Sequence, residues 1–188
     1  MKGRRFAIAA LSVTPVIAAA FAIGHLQGFR FNFTDSAPHG LWMVRSEDTN
    51  AIKRGALIEV CPPALPIVRL MAERGTLSAG DCAPSGVMPF LKPVSAVQGD
   101  IVHLKTGQPA TVNGVALPNT MSMPAVPAWP DGDYVVKPGE VWLFSSYSTG
   151  SFDSRYFGSV ALSNVRGVAF PVAVFGNPAD MTRGVTKQ

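Results

Sequence analysis

Ala110-Thr111-Val112-Asn113-Gly114-Val115-Ala116-Leu117 decides how this chain is read. An Asn-Gly pair between two short apolar or β-branched runs predicts a β-hairpin, because both residues tolerate the positive φ of a type I′ turn. The same punctuation recurs in both directions. Glycine and proline are frequent, at 18 and 16 residues, and short apolar runs lie between them. The spacing predicts strands over 41–45, 56–61, 87–97, 100–105, 110–117, 133–137, 140–145, 155–162 and 165–175. Gly99-Asp100 marks a further turn, and 118–132, with four prolines, reads as an exposed loop. Strands in succession, without helices alternating between them, predict a mainly β protein: a curled antiparallel sheet or barrel.

The N-terminal end is different. Residues 6–24, FAIAALSVTPVIAAAFAIG, hold no charged side chain in 19 positions. As a helix they would span about 28 Å, close to the roughly 30 Å hydrocarbon core of a bilayer. The basic Met-Lys-Gly-Arg-Arg before them would stay cytoplasmic, with the rest of the chain on the far side. An uncleaved anchor, a cleaved signal peptide and a buried core helix all fit. Ala18-Ala19-Ala20 offers small residues for cleavage, but the stretch exceeds a usual 7–15-residue signal core, which favours the anchor. Pro15 would kink the helix. The division is thus an anchor or signal peptide over 1–28 and an exported domain over 29–188. Lys2, Arg4 and Arg5 carry three of the 16 basic charges, leaving 13 basic against 12 acidic side chains in the remainder. That balance lacks the basic stripe of a nucleic-acid binder.

Cys61 and Cys82 have 20 residues between them. In an oxidising compartment an even pair at this separation points to a disulfide, worth about 3 kcal/mol by loop-closure entropy. Two buried free thiols are the alternative. Neither cysteine has the closely spaced second ligand that a metal site needs. A short helix over 65–74 is expected between them, with Ile67, Val68, Leu70 and Met71 as its apolar face.

For chemistry, a His-based triad finds poor candidates. No G-x-S-x-G elbow is present. His25 lies at the end of the apolar stretch, His39 follows Ser36 on a Pro-broken segment, and His103 alternates with Val102 and Leu104 as an outward strand residue. A Ser-Lys pair, one of the convergent variants of the triad, remains. Residues 32–42 read Asn-Phe-Thr-Asp-Ser-Ala-Pro-His-Gly-Leu-Trp. This resembles the nucleophile segment of type I signal peptidases, and more closely that of their conjugal-transfer branch, the TraF-type peptidases, with the pattern N-x-T-x-S-x-P-x-G-[LIV]-[YW]. Leu91-Lys92-Pro93-Val94-Ser95-Ala96-Val97-Gln98-Gly99-Asp100 resembles the lysine strand of that family. Ser151-Phe152-Asp153-Ser154-Arg155-Tyr156-Phe157-Gly158 resembles its S-x-D-S-R-Y-x-G box. Three motifs in the family's order, behind one apolar segment, make a specific signal.

The resemblance implies a signal peptidase I-like fold and assigns roles. Ser36 would be the nucleophile and Lys92 its general base. A serine hydroxyl needs such a base, and the lysine must be neutral to act as one. Neutralising an ordinary lysine at pH 7 costs about 4.6 kcal/mol, within the 3–5 units by which burial lowers a lysine pKa. Met88, Phe90, Leu91, Val94 and Val97 are the expected apolar wall. Thr34 would complete an oxyanion hole with the Ser36 N–H. Ser151 would orient the lysine amine, and Asp153 and Arg155 would brace the same wall as an ion pair.

Departures narrow the branch. Leader peptidases carry Ser-Met, Lys-Arg and Gly-Asp-Asn where this chain has Ser36-Ala37, Lys92-Pro93 and Ser145-Ser146-Tyr147-Ser148-Thr149. The resemblance therefore implies maturation of a pilin precursor for plasmid transfer, by cleavage with or without head-to-tail joining. The expected partners are that precursor, the conjugal transfer apparatus and the inner membrane, with no cofactor, no metal and no nucleic acid. The rival readings are a non-catalytic periplasmic subunit of the same apparatus and, more remotely, an autocleaving repressor with a Ser-Lys site.

Overall fold

Strand order sets where the Ser36 and Lys92 segments lie. The computed structural model describes the backbone of residues 2–46 and 52–185, and side chains from residue 13 onward. In chain order the elements are α1 (Lys2–Leu26), β1 (Phe29–Asn32), β2 (His39–Arg45), β3 (Leu57–Val60), α2 (Pro66–Glu73), β4 (Ala79–Cys82), β5 (Phe90–Ala96), β6 (Ile101–Leu104), β7 (Thr111–Val112), β8 (Val115–Ala116), β9 (Gly132–Val135), β10 (Glu140–Leu143), α3 (Ser154–Phe157), β11 (Val160–Ala161) and β12 (Val165–Phe175). Two antiparallel sheets result, ordered β1-β2-β12-β3-β5-β10-β11 and β8-β7-β6-β9. The mainly β, antiparallel expectation holds, with one N-terminal helix.

Asn113 and Gly114 take φ of 51° and 81°, and Val112 pairs with Val115 across them, as the hairpin reading requires. The long β12 is the organiser of the large sheet. It pairs with β2 from Val168↔Arg45 to Phe175↔His39 on one side and with β3 on the other. Gly40 sits where β12 comes closest: at φ 126°, a Cβ there would collide with the Ala173 carbonyl oxygen. One apolar cluster, including Ile58, Val60, Val68, Met71, Val94, Leu143, Phe152 and Phe157, fills the space under α2 and β5. A second lies between the two sheets around Val102, Leu117, Trp142 and Phe144.

Cys61 and Cys82 are joined in a disulfide, with Cα atoms 5.5 Å apart, and this closes the excursion that carries α2. The free-thiol alternative is thereby excluded. The helix expected over 65–74 is present, opened by Pro66 at its N-terminus, with Val68 and Met71 buried and Ile67 and Leu70 only partly so.

Three expectations change. Residues 155–162 do not form one strand: only Val160–Ala161 is strand, as β11, while Ser154–Phe157 is a single helical turn, capped at its start by Asp153 and at its end by Gly158 at φ 72°. All four of its residues are buried, so the alternation of a half-exposed strand is not needed to cover Tyr156 and Phe157. The 118–132 segment is not freely exposed either, since Thr120 and Val126 are buried. β1 and β4 were not anticipated. α1 covers the expected N-terminal helix, but the side chains of residues 6–12 in the apolar stretch lie outside the described residues. Among the described residues, no helix is long and apolar enough to cross a membrane.

Candidate active site

Lys92 lies on β5 opposite Ile58 of β3. Its other flank is vacated: β10 pairs with β5 only at Ala96 and Val94, with a bulge between, and ends at Leu143. Ser95 extends the contact one step, its hydroxyl donating to the Phe144 carbonyl at 3.0 Å and accepting from the Phe144 N–H at 3.1 Å. Beyond it the chain leaves the sheet and returns through Ser145–Ser151, which closes over the lysine. Lys92 is 2% exposed, and its Nζ donates to Ser151 Oγ at 2.9 Å. The apolar wall is Phe90 and Val94, which share the lysine's face of the strand, with Phe90 in edge-to-face contact with Phe152 at 6.2 Å, whereas Leu91 alternates to the other face and packs near Ala37 and Trp42. Met88 is half-exposed and lies outside it, because β5 begins only at Phe90.

Burial is the main influence on the amine. It pushes the Lys92 pKa down to about 8, and the nearby Arg155 cation acts in the same direction, against the Asp153 carboxylate. The Phe90 ring, 5.8 Å from Nζ, also favours the charged form, but weakly at that distance.

Ser36 is at the tip of the β1–β2 hairpin, whose last pair is Asn32↔Gly40. Its carbonyl oxygen accepts from Ser145 Oγ at 2.9 Å. Ser145 is fully buried, and its own N–H donates to Asp153 Oδ2 at 3.1 Å. Its carbonyl accepts from Arg155 Nη2 at 3.3 Å. One serine thus ties the Ser36 backbone to the Asp153–Arg155 ion pair. Asp153 and Arg155, 0% and 2% exposed, meet in two-pronged fashion: Nε to Oδ1 at 2.8 Å and Nη2 to Oδ2 at 2.9 Å. Arg155 Nη1 then reaches the carbonyls of Asn119 (3.0 Å), Met121 (3.2 Å) and Thr149 (3.3 Å). A buried guanidinium satisfied this fully holds the 118–132 segment and the Ser145–Ser151 turn against one another.

Thr34 Oγ1 is 3.3 Å from Ser36 Oγ. Among the described residues, nothing accepts from the Ser36 backbone N–H. No hydrogen bond joins Ser36 Oγ to Lys92 Nζ: the amine's partner is Ser151 and the hydroxyl's is Thr34. The sequence-derived residues therefore form two groups, Thr34–Ser36 on the hairpin tip and Lys92–Ser151–Asp153–Arg155 on the wall, joined through Ser145. The histidines stay apart: His39 Nε2 pairs with Asp35 at 3.0 Å and His103 Nδ1 with Asp133 at 2.7 Å, all four side chains exposed. No group of three or more His, Cys, Asp or Glu side chains placed to hold a metal occurs among the described residues.

Sequence reading missed the part played by Ser145, which stood out only as a departure from the leader-peptidase pattern. It also gave Asn32 no role, although Asn32 was part of the motif.

The chain belongs to the signal peptidases of family S26, whose family model matches residues 3–174. It is similar to the probable conjugal transfer protein TraF of Sinorhizobium fredii, at 32% identity over 93% of this chain and 92% of that protein. It is similar also to the conjugal transfer protein TraF of Agrobacterium fabrum, at 34% over 85% and 90%. The plasmid transfer protein TraF of Escherichia coli is 34% identical over 79% and 84%. The crystal structure of a signal peptidase I from Enterococcus faecalis aligns with a TM-score of 0.36 at 19% identity, over 62% of this chain and 94% of that one. That last likeness is too slight to bear on the site. Family membership makes this a protein of the serine peptidase kind.

Proposed function

We propose that this chain is a serine endopeptidase with a Ser36–Lys92 dyad that matures a pilin precursor for conjugative plasmid transfer. The observation that carries the reading is the state of Lys92: dry, held by Ser151, and with a pKa lowered to about 8, so that a neutral amine is accessible near neutrality. In the reaction, Ser36 Oγ bonds to the scissile carbonyl carbon while its proton passes to Lys92 Nζ. The oxyanion accepts from the Ser36 N–H and the Thr34 hydroxyl. The C–N bond then breaks and the leaving amine takes the proton from Lys92. Water can release the acyl group from Ser36, giving hydrolysis. The pilin's own N-terminal amine can do so instead, giving a ring.

Ser36 must swing from Thr34 toward the lysine for the first step. Catalytic hydrogen bonds are commonly open in the free enzyme and tighten with substrate bound. The substrate and the transfer role rest on the similar conjugal and plasmid transfer proteins. The Cys61–Cys82 disulfide supports an exported domain. The apolar N-terminal stretch supports tethering, or export through a cleaved signal, at the outer face of the inner membrane.

Ser36→Ala and, separately, Lys92→Ala are expected to leave the pilin precursor at full size in cells carrying the transfer system. Normal processing in either variant refutes the dyad. The open Ser36–Lys92 contact is also what a silent site would show, and it favours a second reading, a non-catalytic periplasmic subunit of the pilus or secretion apparatus. Covalent labelling of Ser36 by an acylating reagent separates the two, since only the first reading expects it.

A further inference from the structure

The nucleophile loop is built around one side chain that the proposed chemistry leaves unused. Asn32 ends β1, and its amide turns back under the hairpin tip. Nδ2 lies 3.0 Å from the Thr34 carbonyl oxygen, 2.9 Å from that of Ala37 and 3.1 Å from that of Pro38. Oδ1 accepts from the Thr34 N–H at 3.1 Å and from Thr34 Oγ1 at 2.7 Å. The orientation of the amide is unambiguous: three carbonyl oxygens need a donor on one side and a backbone N–H needs an acceptor on the other.

That orientation fixes protons elsewhere. A threonine hydroxyl has one hydrogen. At 2.7 Å from an oxygen that only accepts, the Thr34 hydrogen lies on Asn32 Oδ1. In the 3.3 Å contact between Thr34 Oγ1 and Ser36 Oγ, Ser36 is then the donor. The free loop accordingly holds both hydroxyls turned away from their catalytic directions. Ser36 gives its hydrogen to Thr34 instead of Lys92, and Thr34 gives its own to Asn32 instead of an oxyanion.

We propose that Asn32 is the positioning residue of the nucleophile loop, setting the Thr34 and Ser36 hydroxyls through its two-sided amide and yielding the Thr34 hydrogen only when an oxyanion competes for it. This rests on the Ser36–Lys92 reading. Asn32 touches no reacting atom; it acts through Thr34 and through the carbonyls that shape the turn.

The test uses the full chain and p-nitrophenyl acetate, a substrate small enough to need no peptide-binding contacts. Acylation joins the acetyl carbon to Ser36 Oγ and expels p-nitrophenolate, read by absorbance, with the acetylated residue located by mass spectrometry. Asn32→Ala is expected to slow acylation about 10–100-fold, the scale of a misplaced nucleophile, with the fall in kcat and little change in KM. The pH midpoint should not move, because the surroundings of Lys92 are intact. The deciding measurement is a cycle with Thr34→Val. Asn32→Ala should add less than about threefold once Thr34 has lost its hydroxyl, since much of its effect passes through that group. Asn32→Gln, an amide one methylene too long for this turn, should not rescue the rate, and it stands in if Asn32→Ala fails to fold. Effects that multiply independently, a rescued Gln variant, or an unchanged Asn32→Ala rate overturn the assignment while leaving the dyad in place. Acylation that persists at full rate in Ser36→Ala overturns the dyad, and the Asn32 assignment with it.

Discussion

At the scale of single residues, Lys92 concentrates the functional argument. An amine with a pKa near 8 is about one-tenth neutral at pH 7, against less than about one part in a thousand for an ordinary lysine. In the proposed reaction the neutral form is the base, so the acylation rate is expected to rise about tenfold per unit below pH 8 and to level off above it. A rate profile that is flat from pH 6 to 9 would exclude Lys92 as the titrating base. What could be read of Lys92 in the sequence was limited. Met88, Phe90, Leu91, Val94 and Val97 made an apolar setting plausible, but only the resemblance singled this lysine out. The return of Ser145–Ser151 over it was not legible, because no local pattern records that β10 stops at Leu143 and frees the flank of β5. Ser145 and Asn32 were hidden for a related reason: hydroxyls and amides near strand ends are common, and the Ser145 hydroxyl and the Asn32 NH2 here donate to backbone carbonyls distant in sequence or specific to one turn.

At the scale of elements, the segment 151–158 shows where propensity misleads. Arg155-Tyr156-Phe157 has the aromatic content of a strand. The helical turn wins because Asp153 accepts from the Arg155 N–H and side chain together, while Ser154 Oγ accepts from the Leu143 N–H at 2.8 Å and fixes the turn to the end of β10. The long β12 matches its expected bounds of 165–175, with Gly176 marking its end. β1 and β4, four residues each, gave too little periodicity to register. The buried ion pair sets the expectation for this element. Asp153→Asn leaves the Arg155 cation buried without its counter-ion and is expected to lower stability by about 3–5 kcal/mol, read from urea unfolding. A loss below about 1 kcal/mol would mean that the pair is not the brace described here.

At the scale of the molecule, the large sheet is bonded from β1 to β11, and the disulfide closes the one long excursion between its neighbours β3 and β5. Opening that 21-residue separation by reduction, or by Cys61→Ala with Cys82→Ala, is expected to cost about 3 kcal/mol. Urea unfolding with and without reductant checks this, and an unchanged midpoint would show that α2 is held by packing alone. The antiparallel architecture and the hairpin were legible because period and turn chemistry are local. The division into two sheets was not, since it depends on which strands meet across long loops.

The grip on the hairpin tip has one further consequence. Ser145 holds Ser36 by its carbonyl oxygen, and Asn32 holds the carbonyls of Thr34, Ala37 and Pro38. None of these bonds involves the atom that residue 36 carries beyond its Cβ, so the position behaves as a socket whose fitting can be exchanged. With both native cysteines locked in their bridge, Ser36→Cys would install a single thiol there. Its alkylation kinetics would then gauge how far the proposed base, Lys92, makes itself felt at this position, read without any peptide bound.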